Sequence, residues 1–268
     1  KLEREVGRQL LAKNGRGVRL TDAGRLLAEH AARILSQVEL AQSDLEAHRG
    51  EAVGELRLAA FPPPAGGPSR PRPRDCPKAP PARRPPSGEM NPEPAVLAVM
   101  RGDFDLAVVL DWYNRPLPMP DGLVRAVLLD DTADIAMPAD HRHAHRAEVD
   151  LEDFADDDWI TWGENEFCHE WLIHTLRAKG IEPRVAHRAQ EHHTQLALVE
   201  AGLGVCVAPR LGRGPVPEGV RAVPVRQSVR RRVHAVWRAD ADRRPSIRAA
   251  VEALRRAGRT ADRGGDRT

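Results

Sequence analysis

Nothing breaks a helical pattern between Thr21 and Gly50, and the apolar positions inside it, Leu27, Ala31, Ile34, Val38, Ala41 and Leu45, recur alternately four and three residues apart. That spacing is a heptad seam, narrower than the apolar face of an ordinary globular helix. At 1.5 Å per residue the helix runs about 43 Å, and one copy cannot bury the seam. The opposite face (Arg25, Glu29, Arg33, Gln37, Asp44) is polar. The pattern therefore predicts a dimerisation helix, against the alternative of a helix laid on its own domain. Thr21 supplies an N-cap oxygen, and Asp22 an acid suited to the first turn.

Upstream, Lys1–Val6 carries strong helix formers and stops at Gly7. Asn14-Gly15 then separates Leu10-Leu11-Ala12 from Val18-Arg19-Leu20, which predicts a hairpin centred on the Asn-Gly pair, with Lys13, Arg16 and Arg19 at its tip. Charge is unevenly spread around the net +2: residues 1–25 hold seven basic and three acidic side chains, 103–166 four and seventeen, and 221–268 fourteen and five. A basic start suits phosphate contacts, or simply a solvated surface.

The 268 residues allow two compact units, or one with an appendage. No apolar run approaches the roughly 18 residues of a membrane span. Three scattered cysteines, Cys76, Cys168 and Cys206, form neither a disulfide framework nor a zinc motif and fit a reducing cytoplasm. At 4% aromatic, the chain is poor in stacking platforms for single strands. It opens on Lys1 without a charged-then-apolar leader and reads as a fragment.

The run REVGRQLLAKNGRGVRLTDAGRLLAEHAARIL resembles the end of the recognition helix, the wing and the linker helix of LysR-type transcriptional regulators, most specifically at Arg16-Gly17-Val18-Arg19-Leu20-Thr21-Asp22-Ala23-Gly24. The resemblance implies a partial winged helix-turn-helix over 1–20, a linker and dimerisation helix over 21–50, and an effector-binding domain over 51–268. It also implies a homodimer or homotetramer on double-stranded DNA, touched by Lys1, Arg4, Lys13, Arg16 and Arg19. In that family two helices and most of the recognition helix precede the position of Lys1, so base-specific reading by this polypeptide as given is expected to be impaired.

Leu56–Ala60 reads as a short strand, after which Pro62–Gly88 holds eleven prolines and five arginines in 27 residues, with no Val, Ile, Leu, Met, Phe, Tyr or Trp. Such a stretch buries no apolar surface and is predicted to be disordered. It is either an interdomain linker or the product of a shifted reading frame in GC-rich DNA; the family places a helix and a strand in this interval, and a frameshift would remove both.

From Pro94 onward helices alternate with short apolar strands, the pattern of parallel α/β units. Two strands are expected at Val124–Leu129 and Ile135–Pro138, and two more at Val220–Val225 and Val233–Trp237. Arg101-Gly102-Asp103-Phe104-Asp105-Leu106-Ala107 and Val199-Glu200-Ala201-Gly202-Leu203-Gly204-Val205 resemble two segments of the LysR-type effector domain. That resemblance implies two lobes, similar to periplasmic binding proteins, with a small-molecule cleft between them. Ligands of such folds sit beyond strand ends, at helix N-termini. The candidate lining is therefore Asp111 and Trp112, then Trp162, Glu164 and Asn165, then Glu191, His192 and Thr194. Helix starts favour an anion while Glu164 and Glu191 oppose one, which leaves the ligand's sign open.

Other chemistry finds little support. His169 and His174 are one residue too far apart for a helical zinc motif, putting their rings about 140° apart. His141, His143 and His145 read as a solvated loop, and Arg230-Arg231-Arg232 as a charged loop ahead of a strand. Gly202-Leu203-Gly204 lacks the third glycine of a dinucleotide fingerprint, and no nucleophile motif appears. The expectation is a regulator with no catalytic residues, no metal and no cofactor; the alternatives are a stand-alone small-molecule binding module without DNA binding and a metal-dependent enzyme.

Overall fold

The computed structural model describes residues 1–15, 17–49, 56–61 and 87–265. Leu2–Val6 forms a short helix, α1, closed by Gly7. Leu11–Asn14 (β1) and Gly17–Leu20 (β2) pair antiparallel, with Leu11 opposite Leu20 and Asn14 opposite Gly17. That register places Gly15 (φ 59°) first in the turn, one position later than the expected Asn14-Gly15 centre, because glycine takes a positive φ without steric cost while Asn14 stays in the ladder. Arg16 lies outside the described residues. The Glu3 carboxylate accepts the backbone N–H groups of Leu10 (2.7 Å) and Leu11 (3.0 Å), which hold it below the usual carboxylate range and tie α1 to the hairpin.

Asp22–Arg49 is a 28-residue helix, α2. Thr21 caps it as expected: its Oγ1 accepts the Gly24 N–H at 3.0 Å and donates to the Gln9 carbonyl at 2.7 Å. The helix starts so close to the hairpin that a Cβ on Gly24 would lie 2.2 Å from the Leu10 carbonyl oxygen. Along the heptad seam Leu27 is half-buried, while Ala31, Ile34, Val38, Ala41 and Leu45 are exposed.

The remaining strands are β3 (Leu58–Ala60), β4 (Ser87–Glu89), β5 (Leu106–Trp112), β6 (Leu123–Pro138), β7 (Asp158–Thr161), β8 (Arg184–Arg188), β9 (Cys206–Pro209) and β10 (Val220–Arg238). The helices are α3 (Pro92–Arg101), α4 (Phe167–Ala178), α5 (His192–Glu200) and α6 (Pro245–Gly265). Six strands form one sheet in the order β4-β3-β5-β10-β6-β9, and β7 pairs with β8 in a second.

The sheet is mixed, not wholly parallel: β10 runs antiparallel to both β5 and β6, and β6 antiparallel to β9. The segments expected as two strands each are single long strands, β6 and β10, of 16 and 19 residues. Charged residues such as Asp130, Asp131 and Arg230–Arg232 interrupt the apolar pattern without interrupting the pairing. At about 3.3 Å per residue these strands extend on the order of 50 Å and join two lobes. At one end α6 covers Leu106, Ala235 and Trp237 with Ile247 and Val251. At the other, α5 packs Leu196 and Val199 against Ala136, Ile160, Cys206 and Ala208.

Most of the proline-rich run, 62–86, lies outside the described residues, and with it Cys76 and the question of a displaced helix. Its last two residues do not fit the expectation of disorder. Ser87 and Gly88 enter β4 and pair in parallel with Leu58 and Ala59, because the ladder needs only their backbone groups. The strand that a frameshift was expected to remove is therefore present. Among the described residues no helix is long and apolar enough to cross a membrane.

Gly24→Ala is expected to overpack the hairpin against α2 and to destabilise that contact by about 1–3 kcal/mol. Hydrogen exchange of residues 9–21 should quicken relative to the sheet; unchanged protection there would show that the close approach is not needed.

Candidate functional site

At the middle of the long strands, cross-strand pairing sets three side chains in a row: Arg231 of β10 is the register partner of Trp112 on β5 and of Asp131 on β6. All three are buried, Arg231 at 2% exposure and Trp112 at 0%. Arg231 Nε donates to Asp131 Oδ2 at 2.7 Å, and the other carboxylate oxygen of Asp131 accepts the Leu211 N–H at 2.9 Å. The guanidinium carbon stands 5.9 Å from the ring centroids of both Trp112 and Phe61. Trp112 is stacked on Trp171 of α4, centroids 3.5 Å apart and planes 8° from parallel, which joins β5 to the other lobe.

Three helices begin around this row. α3 starts after Asn91, α4 after Glu166 and α5 after Glu191, and none of these N-caps makes a side-chain capping bond. Glu166 links the three starts, because its carboxylate accepts from the Asn91 side chain and from Gln190, just ahead of Glu191. Gly163 leaves the space for that carboxylate; a Cβ there would lie 2.5 Å from Glu166 Oε1. Burial pushes Glu166 above the usual carboxylate range, and burial followed by Glu170 does the same to Glu93. Burial also lifts the Cys168 thiol to about 11, so it is a neutral thiol at physiological pH.

His192 opens α5 with its ring enclosed although the residue keeps some surface. Burial, then the nearby Arg231 cation, pushes its pKa down to about 4. Gln195 holds it: Gln195 Nε2 donates to the Ala189 carbonyl at 2.8 Å, leaving Gln195 Oε1 to face His192 Nδ1 at 3.2 Å. Trp162 meets the imidazole edge-on, centroids 5.8 Å apart.

Of the residues singled out from sequence, Trp112, Trp162, Glu191 and His192 come to this convergence. Asp111 does not. Successive strand residues face opposite ways, and Asp111 is buried on the other face against His234 Nε2 at 3.0 Å, with Arg125 at 3.6 Å. Glu164 and Asn165 are exposed and line an open groove of about 560 Å³ along the outer face of α4, with His169, Ile173 and Arg177. Thr194 is exposed in the first turn of α5.

Arg231 was not singled out in the sequence: it reads as part of a charged loop but is the buried centre of β10. The alternation Val229, Arg231, Val233 carries the signal, since these three are buried while Arg230 is exposed and Arg232 half-buried, and only one of the three is polar. The histidine loop is also corrected. His141 and His143 pack against Phe154, His143 is buried, and His141 faces Asp157 at 3.2 Å; only His145 is exposed. Among the described residues, no group of three His, Cys, Asp or Glu could hold a metal ion.

Residues 49–259 match the family model for the LysR substrate binding domain. The chain is 28% identical over 232 residues to the HTH-type transcriptional regulator YnfL of Escherichia coli K12, covering 84% of this chain and 75% of the relative. To the HTH-type transcriptional regulator ShiR of Corynebacterium glutamicum it is 27% identical over 247 residues, covering 88% and 80%. Among solved structures, an OxyR mutant of Corynebacterium glutamicum superposes with a TM-score of 0.66 at 24% identity, over 99% of this chain and 82% of that one, a likeness of fold.

A histidine that binds its proton more weakly in the folded chain gives stability that is complete above its ordinary value near 6.5 and declines as pH falls toward 4. His192→Gln should flatten the fall in melting temperature across that window. It should not abolish it, because burial also lowers His143 and His169. Parallel wild-type and variant curves would show that His192 is not enclosed.

Proposed function

As this chain belongs to the LysR family, whose members are transcriptional regulators and not enzymes, we propose that it holds double-stranded DNA through its N-terminal hairpin, self-associates through α2 and responds to a small-molecule effector. The observation that carries this reading is the open seam of α2. Ile34, Val38 and Leu45 are 65%, 50% and 64% exposed on a helix whose capped start is clamped to a basic hairpin. Water-exposed side chains of that size at heptad spacing are stabilised by a second copy of the same helix.

In this reading residues 1–20 are the end of a winged helix-turn-helix, 21–50 the linker helix and 51–268 the effector domain. Lys1, Arg4, Lys13 and Arg19 are exposed and available to phosphates, and Arg16 would join them at the turn. The effector lies between the lobes, against Trp112, Trp162, Glu191 and His192, with Asp111, Glu164, Asn165 and Thr194 outside that ring. Occupancy shifts the lobes on the long strands and, through α2, the spacing of paired hairpins. Two copies are the minimum unit, four a further assembly, and the cytoplasm the compartment where operator DNA is met.

The stand-alone binding module draws on one observation: α2 also touches α6 and the short Ala239–Ala241 turn of its own chain. Those contacts leave the seam exposed, which favours the paired reading.

Lys13→Ala and Arg19→Ala should each weaken duplex binding alike across sequences and reduce the slope of log affinity against log salt by about 1. Anisotropy titrations at several salt concentrations read this, and unchanged slopes would remove the hairpin from the interface. Ile34→Glu with Val38→Glu should convert the chain to monomers by light scattering; a wild-type chain that is already monomeric would favour the binding module.

A further inference from the structure

Two histidines between β6 and β7 are held in fixed proton states by their neighbours. The segment that carries them is tied at its start, where the Ala139 N–H donates to the Gly219 carbonyl at 2.9 Å. It is tied again at Val149, whose N–H donates to the Pro224 carbonyl and whose carbonyl accepts the Arg226 N–H, both at 2.9 Å. Between these ties the rings of His141 and His143 pack on Phe154, each with its centroid 5.6 Å from that ring. Arg142 Nε donates to His143 Nε2 at 3.0 Å, so this nitrogen keeps its lone pair and the ring carries its one proton on Nδ1. That Nδ1 is buried without a hydrogen-bond partner among the described residues. The His143 N–H donates to His141 Nδ1 at 3.2 Å, which leaves His141 Nε2 to donate to Asp157 Oδ1, also at 3.2 Å.

The charges around the two rings are already balanced. Arg142 and Arg146 come from the segment itself, Asp153 from the turn Leu151–Phe154 and Asp157 from the approach to β7. Arg142 reaches Asp157 Oδ2 at 2.7 Å and the Asp153 carbonyl at 2.9 Å. Arg146 reaches Asp153 Oδ2 at 3.0 Å, and the same oxygen accepts the Asp150 N–H at 2.9 Å. A proton on His143 Nε2 would set donor against donor at Arg142 and add an unmatched cation on a residue only 8% exposed. Burial, followed by Arg146, accordingly holds the ring below the usual histidine range, although Asp153 opposes the shift. A proton on His141 Nδ1 would likewise face the His143 N–H.

We propose that residues 139–157 form an acid-released latch, closed while His143 is neutral and opened when that ring takes a proton. The guanidinium that donates to His143 also ties the segment to Asp153 and Asp157, so its displacement frees the turn Leu151–Phe154 and the entry to β7 together. None of these residues belongs to the convergence around Arg231 or to the N-terminal hairpin, and the latch depends on neither an effector nor DNA. A ring that binds its proton more weakly in the closed segment gives a latch that is complete above about pH 6.5 and weakens progressively as pH falls below it.

Hydrogen exchange of the full chain, read by mass spectrometry with labelling times scaled to the intrinsic rate at each pH, tests this. Between about pH 7.5 and 5.5, exchange across residues 140–157 should rise about tenfold, the gain expected when opening takes up one proton, while β5 keeps its protection. His143→Gln retains an acceptor for Arg142 and cannot be protonated, so its exchange should stay at the neutral-pH level throughout. His145→Gln, at an exposed position, should follow the wild type. Exchange that ignores pH, a rise that persists unchanged in His143→Gln, or a rise shared equally by β5 overturns the latch. Should the glutamine variant fail to fold, NMR titration of the His143 ring in the wild-type chain decides: a midpoint below about 6.5 is expected, and one at or above that value overturns the proposal.

Discussion

The interlobe region depends on one buried ion pair. Arg231 and Asp131 are direct cross-strand neighbours at the middle of β6 and β10, the two strands that pass through both lobes. Ions so enclosed are tolerable only when paired, because the interior screens charge poorly and offers no water. Their partnership therefore constrains the register of β6 against β10. A slip of one residue would turn each of them to the opposite face and bury an isolated charge. The same register brings Trp112 beside Arg231, and the Trp112–Trp171 stack then carries the position of β5 to α4.

This arrangement divides the molecule by physical task. The N-terminal segment is basic, exposed and held together by local bonds, with Glu3 tying α1 to the hairpin and Thr21 joining the hairpin to α2. It has almost no core of its own: within α1 and the two hairpin strands, no side chain is buried. In the proposed reading a partner helix along the α2 seam supplies the burial that this segment lacks. The effector domain, in contrast, buries ion pairs within its sheet, among them Arg231 with Asp131 and His234 with Asp111. In the proposed reading, sensing and DNA contact are separated, with α2 as the mechanical connection between them.

Much of this was legible in the sequence, and the failures have identifiable causes. Turn and cap chemistry is local, so the hairpin, the Thr21 cap and the end of α1 follow directly from their residues. The strands β6 and β10 were cut in two because a pattern-based reading treats Asp130-Asp131 and Arg230-Arg231-Arg232 as loop, when tertiary pairing cancels the buried members of those runs. The same missing partner hid Arg231 from the site. Asp111 and Trp112 were placed together although a strand must send neighbours to opposite faces, and only one of them could reach the cleft. Parallel topology was assumed from alternation, which does not report the direction in which a long returning strand such as β10 runs.

The direct test is a double-mutant cycle on the central pair, followed by urea unfolding. Removing one partner, as in Arg231→Met or Asp131→Leu, should each cost about 3–5 kcal/mol, because the remaining charge is left buried. Removing both together should cost far less than the sum, giving a large coupling energy. Additive losses, or single variants as stable as the wild type, would contradict the pairing on which the register of β6 and β10 is built.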